Sequence, residues 1–236
     1  MTKVDIWCVV PAAGIGRRMG GDRPKQYLRV RGRMVIEHTL QRLCSHPAIR
    51  AVCVALAPRD GFFAEVEVSS SSGLRRCAGG VERQDSVING IRALASDGAR
   101  EQDWVMVHDA VRPCLRAADI DRLVDEGCRH PVGGVLGIPV RDTMKRVNES
   151  LDIGETVSRD HLWHAFTPQM FRLAELLKAL EGAASDGAMV TDEAQAMERC
   201  GARARMVEGH ADNIKITTTA DLAIAEQYLA AQENGA

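Results

Sequence analysis

The sequence predicts an α/β fold in which a mostly parallel sheet is flanked by helices. Three observations lead there. Short apolar, β-branched runs alternate with stretches of helical periodicity, as successive βαβ units require. The chain has 236 residues, 45% of them apolar and 26% charged, which supplies a substantial core. The first run empties into a glycine-rich turn, Pro11-Ala12-Ala13-Gly14-Ile15-Gly16, where an α/β sheet commonly places a ligand.

Taken in order, strands are expected at 4–10, 51–56, 74–78, 104–108, 134–139 and 203–208, because these runs are short, apolar and bounded by turn residues. Helices are expected at 35–45, 83–96, 118–129, 172–181 and 192–200, where apolar residues recur at helical spacing. A last helix, about 220–231, carries Asp221 in its first turn, the sign that suits the helix dipole. The serines of 69–72, followed by Gly73, read as a surface loop. No repeat or change of composition marks a linker, so one domain over 1–236 is expected. The polar stretch 141–160 follows a strand without forming a clean helix pattern. It suits a protruding hairpin or arm, with a long irregular loop as the alternative.

A net charge of −2 argues against a dedicated nucleic-acid binder, which carries a basic excess. The charge is uneven, however: Arg17, Arg18, Arg23, Lys25, Arg29, Arg31 and Arg33 face only Asp22 within 17–33. Such a local basic segment suits a small anionic ligand, or else a solvated surface. Seven cysteines without a Cys-x-x-Cys pair suit neither a disulfide framework nor a zinc site, but a reducing compartment. The first residues have neither the basic front and apolar stretch of a signal peptide nor the length of a membrane span. A cytoplasmic protein that binds neither membrane nor nucleic acid is expected.

The turn after the first strand suits phosphate, since glycines let backbone N–H groups approach an anion. It is not a dinucleotide fingerprint: Met19 stands where the third glycine belongs, and Glu37, at the right count for the acidic residue, falls in a helix pattern. Nor is it a Walker A loop, because no Gly-Lys-Ser/Thr follows Gly16. What remains is Gly14-x-Gly16 with Arg18 and then, after Pro24, Lys25. Transfer at a phosphorus spreads charge over its oxygens, and a guanidinium fork with a point-charge ammonium on one loop can stabilise it.

Ala12-Ala13-Gly14-x-Gly16-x-Arg18-Met19 with Pro24-Lys25-Gln26-Tyr27 resembles the signature of nucleotidyltransferases that activate sugars and polyols. The segments Val107-His108-Asp109-Ala110-Val111-Arg112-Pro113, Val140-Arg141-Asp142-Thr143-Met144-Lys145, Leu162-Trp163-His164-Ala165-Phe166-Thr167-Pro168-Gln169, Val190-Thr191-Asp192-Glu193-Ala194 and Asp212-Asn213-Ile214-Lys215-Ile216-Thr217 continue the match. Together they resemble the 2-C-methyl-D-erythritol 4-phosphate cytidylyltransferase family over about 4–228. That resemblance implies a Rossmann-like, mostly parallel mixed sheet with a protruding β-arm at 138–163 used for dimerisation. It implies transfer of CMP from CTP to 2-C-methyl-D-erythritol 4-phosphate, a step of isoprenoid biosynthesis, with Mg²⁺ and a homodimer whose active sites are shared.

By the same resemblance Arg18, Lys25, Arg159 and Lys215 are catalytic. Ala12, Ala13, Gly14, Gly16, Arg18, Lys25, Gly80, Ser86 and Asp109 take CTP, with Gly79-Gly80 and Ser86 reading the cytosine. Val81 departs from the aspartate often found after the second glycine, which matters only if the base is read through that carboxylate. Asp109, Arg112, Thr143, Arg159, Thr167, Thr191 and Lys215 take the polyol phosphate. Asp109, at the end of a strand, would hold a substrate hydroxyl or the Mg²⁺ that bridges nucleotide phosphates, with a helix cap as its structural alternative. No general base is needed, because a phosphate monoester with a second pKa near 6 is already mostly dianionic. His108 and His164 are therefore read as packing or orienting residues. A ribitol 5-phosphate cytidylyltransferase is the neighbouring reading, and a nucleotide sensor without catalysis is the one of another class.

Overall fold

The computed structural model describes residues 5–14, 23–69 and 73–234. Strand β1 (Ile6–Pro11) occupies the middle of a seven-stranded sheet. It pairs in parallel with β4 (Ile49–Leu56) on one side and β6 (Trp104–Val107) on the other. Beyond β4 lies β5 (Leu74–Ala78), also parallel. Beyond β6 come β10 (Trp163–Arg172), β7 (Gly133–Pro139) and β11 (Arg205–Glu208). β10 is antiparallel to both its neighbours, and β11 is parallel to β7. Six strands thus run one way and β10 alone runs against them: the sheet is mostly parallel and mixed.

The inner strands β1, β6 and β7 are covered on both faces, which is why they are apolar throughout rather than alternating, whereas the edge strands β5 and β11 carry exposed charged residues. Ile6, Cys8 and Val10 point into one cluster, with Ile36, Leu40 and Leu43 of α1 (Val35–Cys44) and Ile120 and Leu123 of α3 (Ala117–Arg129). Trp7 and Val9 point into the other. There they meet Val87, Ile91 and Leu94 of α2 (Arg83–Ser96), Leu176 and Leu180 of α4 (Leu173–Ser185), and Met197 of α5 (Glu193–Arg199). Each such fully buried side chain contributes on the order of 2 kcal/mol to holding the layers together. The final helix α6 (Thr219–Asn234) packs Ala225 and Leu229 on Val30, Val35, Val111 and Ile216, beside the short separate hairpin β2 (Arg29–Val30) and β3 (Arg33–Met34). Glu37 sits in the first turn of α1, where its carboxylate accepts from the Met34 and Glu67 N–H groups at 2.7 and 2.9 Å. This capping role agrees with its exclusion as a ribose-binding acid.

The stretch 141–160 forms a hairpin, β8 (Met144–Val147) against β9 (Ile153–Val157), apart from the main sheet. Its turn is closed by Asn148, whose Oδ1 accepts from the Ser150 and Asp152 N–H groups. Met144, Val147, Leu151 and Ile153 are apolar yet exposed along it.

Two expectations change. Beyond the hairpin or arm expected at 141–160, no strand of the main sheet was anticipated between 139 and 203, yet β10 is the longest in the sheet; its sequence Trp-His-Ala-Phe-Thr-Pro-Gln-Met-Phe-Arg neither alternates nor lacks proline. The expected helix at 172–181 begins one residue later and runs to Ser185. The register of β10 on β7 slips between Ala165 and Gln169. This bulge carries Thr167 out of the ladder and toward the end of β6.

Candidate active site

The carboxyl ends of β1, β5 and β6 open on one cleft of roughly 220 Å³. Pro11, Ala12, Ala13, Gly14, Lys25, Gln26, Gly80, Ser86, Asp109 and Lys215 line it. After β1 the chain is pinned by the Ala12 N–H donating to the Ala55 carbonyl at 2.8 Å. The buried Gln26 amide donates to the Ala12 and Gly14 carbonyls at 2.9 and 3.1 Å. Gln26 belongs to a 3₁₀ turn, Lys25–Tyr27, opened by Pro24, whose fixed φ suits the start of a helical turn. The turn therefore ties the phosphate loop to Lys25, whose Nζ donates to the Ile216 carbonyl at 2.9 Å and so lies beside the Lys215 segment. Gly16 and Arg18 lie outside the described residues.

On the opposite wall, the Gly79 N–H donates to Leu56 at 2.6 Å and the Gly80 N–H to Ser86 Oγ at 3.0 Å. A Cβ on Gly79 would stand 2.4 Å from the Cβ of Ala13, and one on Gly80 only 2.1 Å from the Cβ of Asp85. Only glycine lets this turn close on the first loop, leaving backbone groups as its polar surface. Val81 is 95% exposed at the mouth.

Asp109, buried at the end of β6, lies at the electrostatic centre. Its Oδ2 meets Lys215 Nζ at 2.9 Å and Arg112 Nε at 3.5 Å, and its Oδ1 meets Arg83 at 3.3 Å. Burial pushes the carboxyl up, but Arg83, Lys215 and Arg112 outweigh it and hold Asp109 well below the usual carboxylate range. Arg83 also forms a two-pronged ion pair with Glu193, at 2.6 and 3.2 Å. Glu193 is wholly buried, and that burial raises its pKa against the pull of Arg83. Three cations against two carboxylates leave one positive charge in excess before Lys25 is counted, so the cleft favours an anion.

A chain of hydrogen bonds fixes Asp109 from behind. Its N–H donates to Thr167 Oγ1 at 3.0 Å, Thr167 Oγ1 lies 3.0 Å from His108 Nδ1, and His108 Nε2 lies 3.1 Å from the Arg112 carbonyl. A carbonyl can only accept, so Nε2 carries the proton and Nδ1 accepts from the threonine hydroxyl. Both ring nitrogens are thereby occupied, and His108 orients rather than transfers protons. Burial lowers its pKa to about 4. A histidine with a depressed folded pKa contributes stability that is present above pH 6.5 and lost as pH falls toward 4. Unfolding by urea should therefore show about 3 kcal/mol less stability at pH 4 than at 6.5 from this group. In His108→Gln that part of the slope should vanish; an unchanged slope would show that other groups supply it.

Of the other expected site residues, Arg112 is buried, donates to the Asn213 carbonyl at 2.7 Å and stacks 5.2 Å from the Phe166 ring centre. Thr143 and Arg159 belong to the exposed hairpin segment, where Arg159 contacts the Arg141 carbonyl. Thr191 is exposed just before α5. None of these three lines the cleft. Arg83 and Glu193 belong to the charge cluster of the cleft and were not among the expected site residues. Each stands in the first turn of a helix, where a charged residue looks like an ordinary solvated terminus, and only the fold reveals that they meet.

The reading of Asp109 as a metal holder is not supported by this geometry. Both its oxygens face cations, and no group of three or more His, Cys, Asp or Glu suited to a metal occurs among the described residues. A resident Mg²⁺, which takes oxygen ligands of its own, does not fit there.

The sequence model of the 2-C-methyl-D-erythritol 4-phosphate cytidylyltransferase family matches residues 6–231. The chain is 52% identical over 222 residues to the 2-C-methyl-D-erythritol 4-phosphate cytidylyltransferase of Ectopseudomonas mendocina, covering 94% of each chain. It is 50% identical to that of Vibrio parahaemolyticus, again over 94% of each. Among solved structures it resembles the Francisella tularensis 2-C-methyl-D-erythritol 4-phosphate cytidylyltransferase, with a TM-score of 0.82 and 34% identity over 95% of this chain and 99% of that one. A 4-diphosphocytidyl-2C-methyl-D-erythritol synthase matches with the same score and identity over 96% and 100%.

Proposed function

The chain belongs to the 2-C-methyl-D-erythritol 4-phosphate cytidylyltransferase family, and from that premise and the cleft we propose how its residues divide the work. The enzyme transfers CMP from CTP to 2-C-methyl-D-erythritol 4-phosphate, giving 4-diphosphocytidyl-2-C-methyl-D-erythritol and pyrophosphate. The observation that carries the assignment of roles is the Asp109 carboxylate ringed by Arg83, Arg112 and Lys215 in the cleft that Lys25 also lines.

The backbone at Ala12, Ala13 and Gly14 receives the triphosphate. The Gly79-Gly80 turn and Ser86 read the cytosine through main-chain groups and a hydroxyl, so the exposed Val81 leaves base selectivity intact. A phosphate oxygen of the acceptor attacks the α-phosphorus, the new P–O bond forms, the α–β bond breaks, and pyrophosphate leaves with the electron pair. Lys25, joined by Arg18, meets the charge that grows on the triphosphate oxygens. Lys215 turns between Asp109 and the acceptor phosphate, while Asp109 accepts from an acceptor hydroxyl and so aims the attack. Mg²⁺ would come bound to CTP as part of that substrate and would screen its phosphates. The protein works in the cytoplasm; no described helix is long and apolar enough to cross a membrane.

Thr143 and Arg159 stand away from the cleft of their own chain, on a hairpin with exposed Met144, Val147, Leu151 and Ile153. These side chains suit a second copy of the chain. In the dimer Thr143 and Arg159 of one copy complete the acceptor pocket of the other, beside Arg112, Thr167 and Thr191. Arg159→Ala is then expected to raise KM for the polyol phosphate at least about tenfold, with little change for CTP. Assayed with polyol phosphate well below its KM, where each variant alone is nearly inactive, Lys25→Ala and Arg159→Ala chains mixed with subunit exchange should recover about a quarter of wild-type activity, because random pairing makes half of the dimers mixed and leaves one intact site in each. No recovery after demonstrated exchange rules out shared sites.

Pyrophosphate release with CTP and Mg²⁺, assayed with each acceptor separately, tests the reaction. Turnover with ribitol 5-phosphate alone would replace the assignment, and tight CTP binding without product would favour a sensor.

A further inference from the structure

Glu193 is 0% exposed, so it touches no substrate, yet it holds with both carboxylate oxygens the guanidinium that also grips Asp109. The same helix start is fastened on every side. Gln84, next to Arg83, accepts from the Val190 N–H at 3.0 Å. Gln169 of β10 accepts from the Ala194 N–H at 2.8 Å and donates to Asp192 at 2.9 Å, while Asp192 caps α5 through the Gln195 N–H at 2.9 Å. The segment 190–194 is therefore clamped between the turn that begins α2 and the bulged strand β10. The Arg83 guanidinium links this segment to the cleft itself, which Arg83 lines.

We infer that Arg83 and Glu193 form a positioning pair for the acceptor half of the site. Glu193 sets the plane of the Arg83 guanidinium, Arg83 fixes Oδ1 of Asp109, and Oδ2 is left to Lys215, Arg112 and an acceptor hydroxyl. A planar fork is required, because one ammonium cannot present separate N–H groups to two carboxylates in fixed directions. The pair also registers the segment carrying Thr191 against the turn at Gly79-Gly80, so acceptor alignment depends on it while CTP capture does not. The inference rests on the acceptor role of Asp109 proposed above.

Glu193→Gln and Arg83→Lys test it through separate KM values for CTP and the polyol phosphate. Each variant is expected to lower kcat/KM for the polyol phosphate about tenfold with KM for CTP within about twofold. The double variant should be no worse than the more damaged single one, because both changes break one device. Additive losses, equal rises in both KM values, or wild-type constants in a folded Glu193→Gln chain would overturn the pair. Should Glu193→Gln fail to fold, Arg83→Lys, which keeps the buried charges balanced, decides alone. A wild type that releases no pyrophosphate with the polyol phosphate removes the underlying reading, whereas an active wild type with additive variants removes only the coupling.

Discussion

Lys25→Ala is expected to lower kcat by at least about a hundredfold, close to 3 kcal/mol of transition-state stabilisation. The lysine is delivered by a 3₁₀ turn whose fixed points lie elsewhere: Gln26 bonds the phosphate loop, and the Tyr27 hydroxyl donates to Asp60 at 2.6 Å. Losing the Nζ bond to the Ile216 carbonyl costs about 1 kcal/mol, a few degrees of thermal midpoint in a chain of this size. Folding and chemistry should therefore separate. Single-turnover CMP transfer measured beside a thermal melt checks this; an unaltered kcat would take Lys25 out of the mechanism.

The second large effect is expected at Asp109. Asp109→Ala leaves Arg83, Arg112 and Lys215 with Glu193 as the remaining carboxylate of the cluster. Removing one member of a buried ion cluster costs about 3–5 kcal/mol of stability. The loss of acceptor alignment should add a fall in kcat/KM for the polyol phosphate on the order of a thousandfold. Asp109→Asn keeps the shape and one acceptor oxygen, so it should recover most of the stability and little of the rate. Because the three cations hold Asp109 well below the usual carboxylate range, it is charged throughout the range in which a phosphate monoester titrates. The acid limb of kcat/KM should then report the acceptor phosphate, near pH 6, and should stay in place in Asp109→Asn. A limb that moves with that substitution would assign the titration to Asp109 instead. Equal activity of Asp109→Ala and wild type would end the proposed role.

Much of this protein was legible in one dimension because its signals are local. An apolar run of six residues ending in Pro11-Ala12-Ala13-Gly14 reads as a buried strand meeting a phosphate loop, since strand burial and glycine's freedom are properties of neighbouring residues. The helices at 35–45, 83–96 and 118–129 were marked by spacing that a helix turns into one apolar face. Lys25, Gly80, Ser86, Asp109 and Lys215 belonged to motifs written in short stretches, and the structure gathers all five around one cleft.

What escaped was set by partners distant in sequence. β10 lies antiparallel between β6 and β7, and its bulge breaks the pattern that would have announced it. Arg83 and Glu193 are 110 positions apart, and neither carries a local mark of the ion pair they form. The protonation of His108 follows from Thr167 and the Arg112 carbonyl, and the failure of Asp109 to suit a metal follows from three cations arriving from three different segments. The sequence by itself determined the six parallel strands of the sheet, the helices and the chemistry-bearing motifs, because propensity and periodicity act over a few residues. Tertiary structure alone decided which charges are buried together, because Coulomb energy and desolvation depend on distance through space and not along the chain.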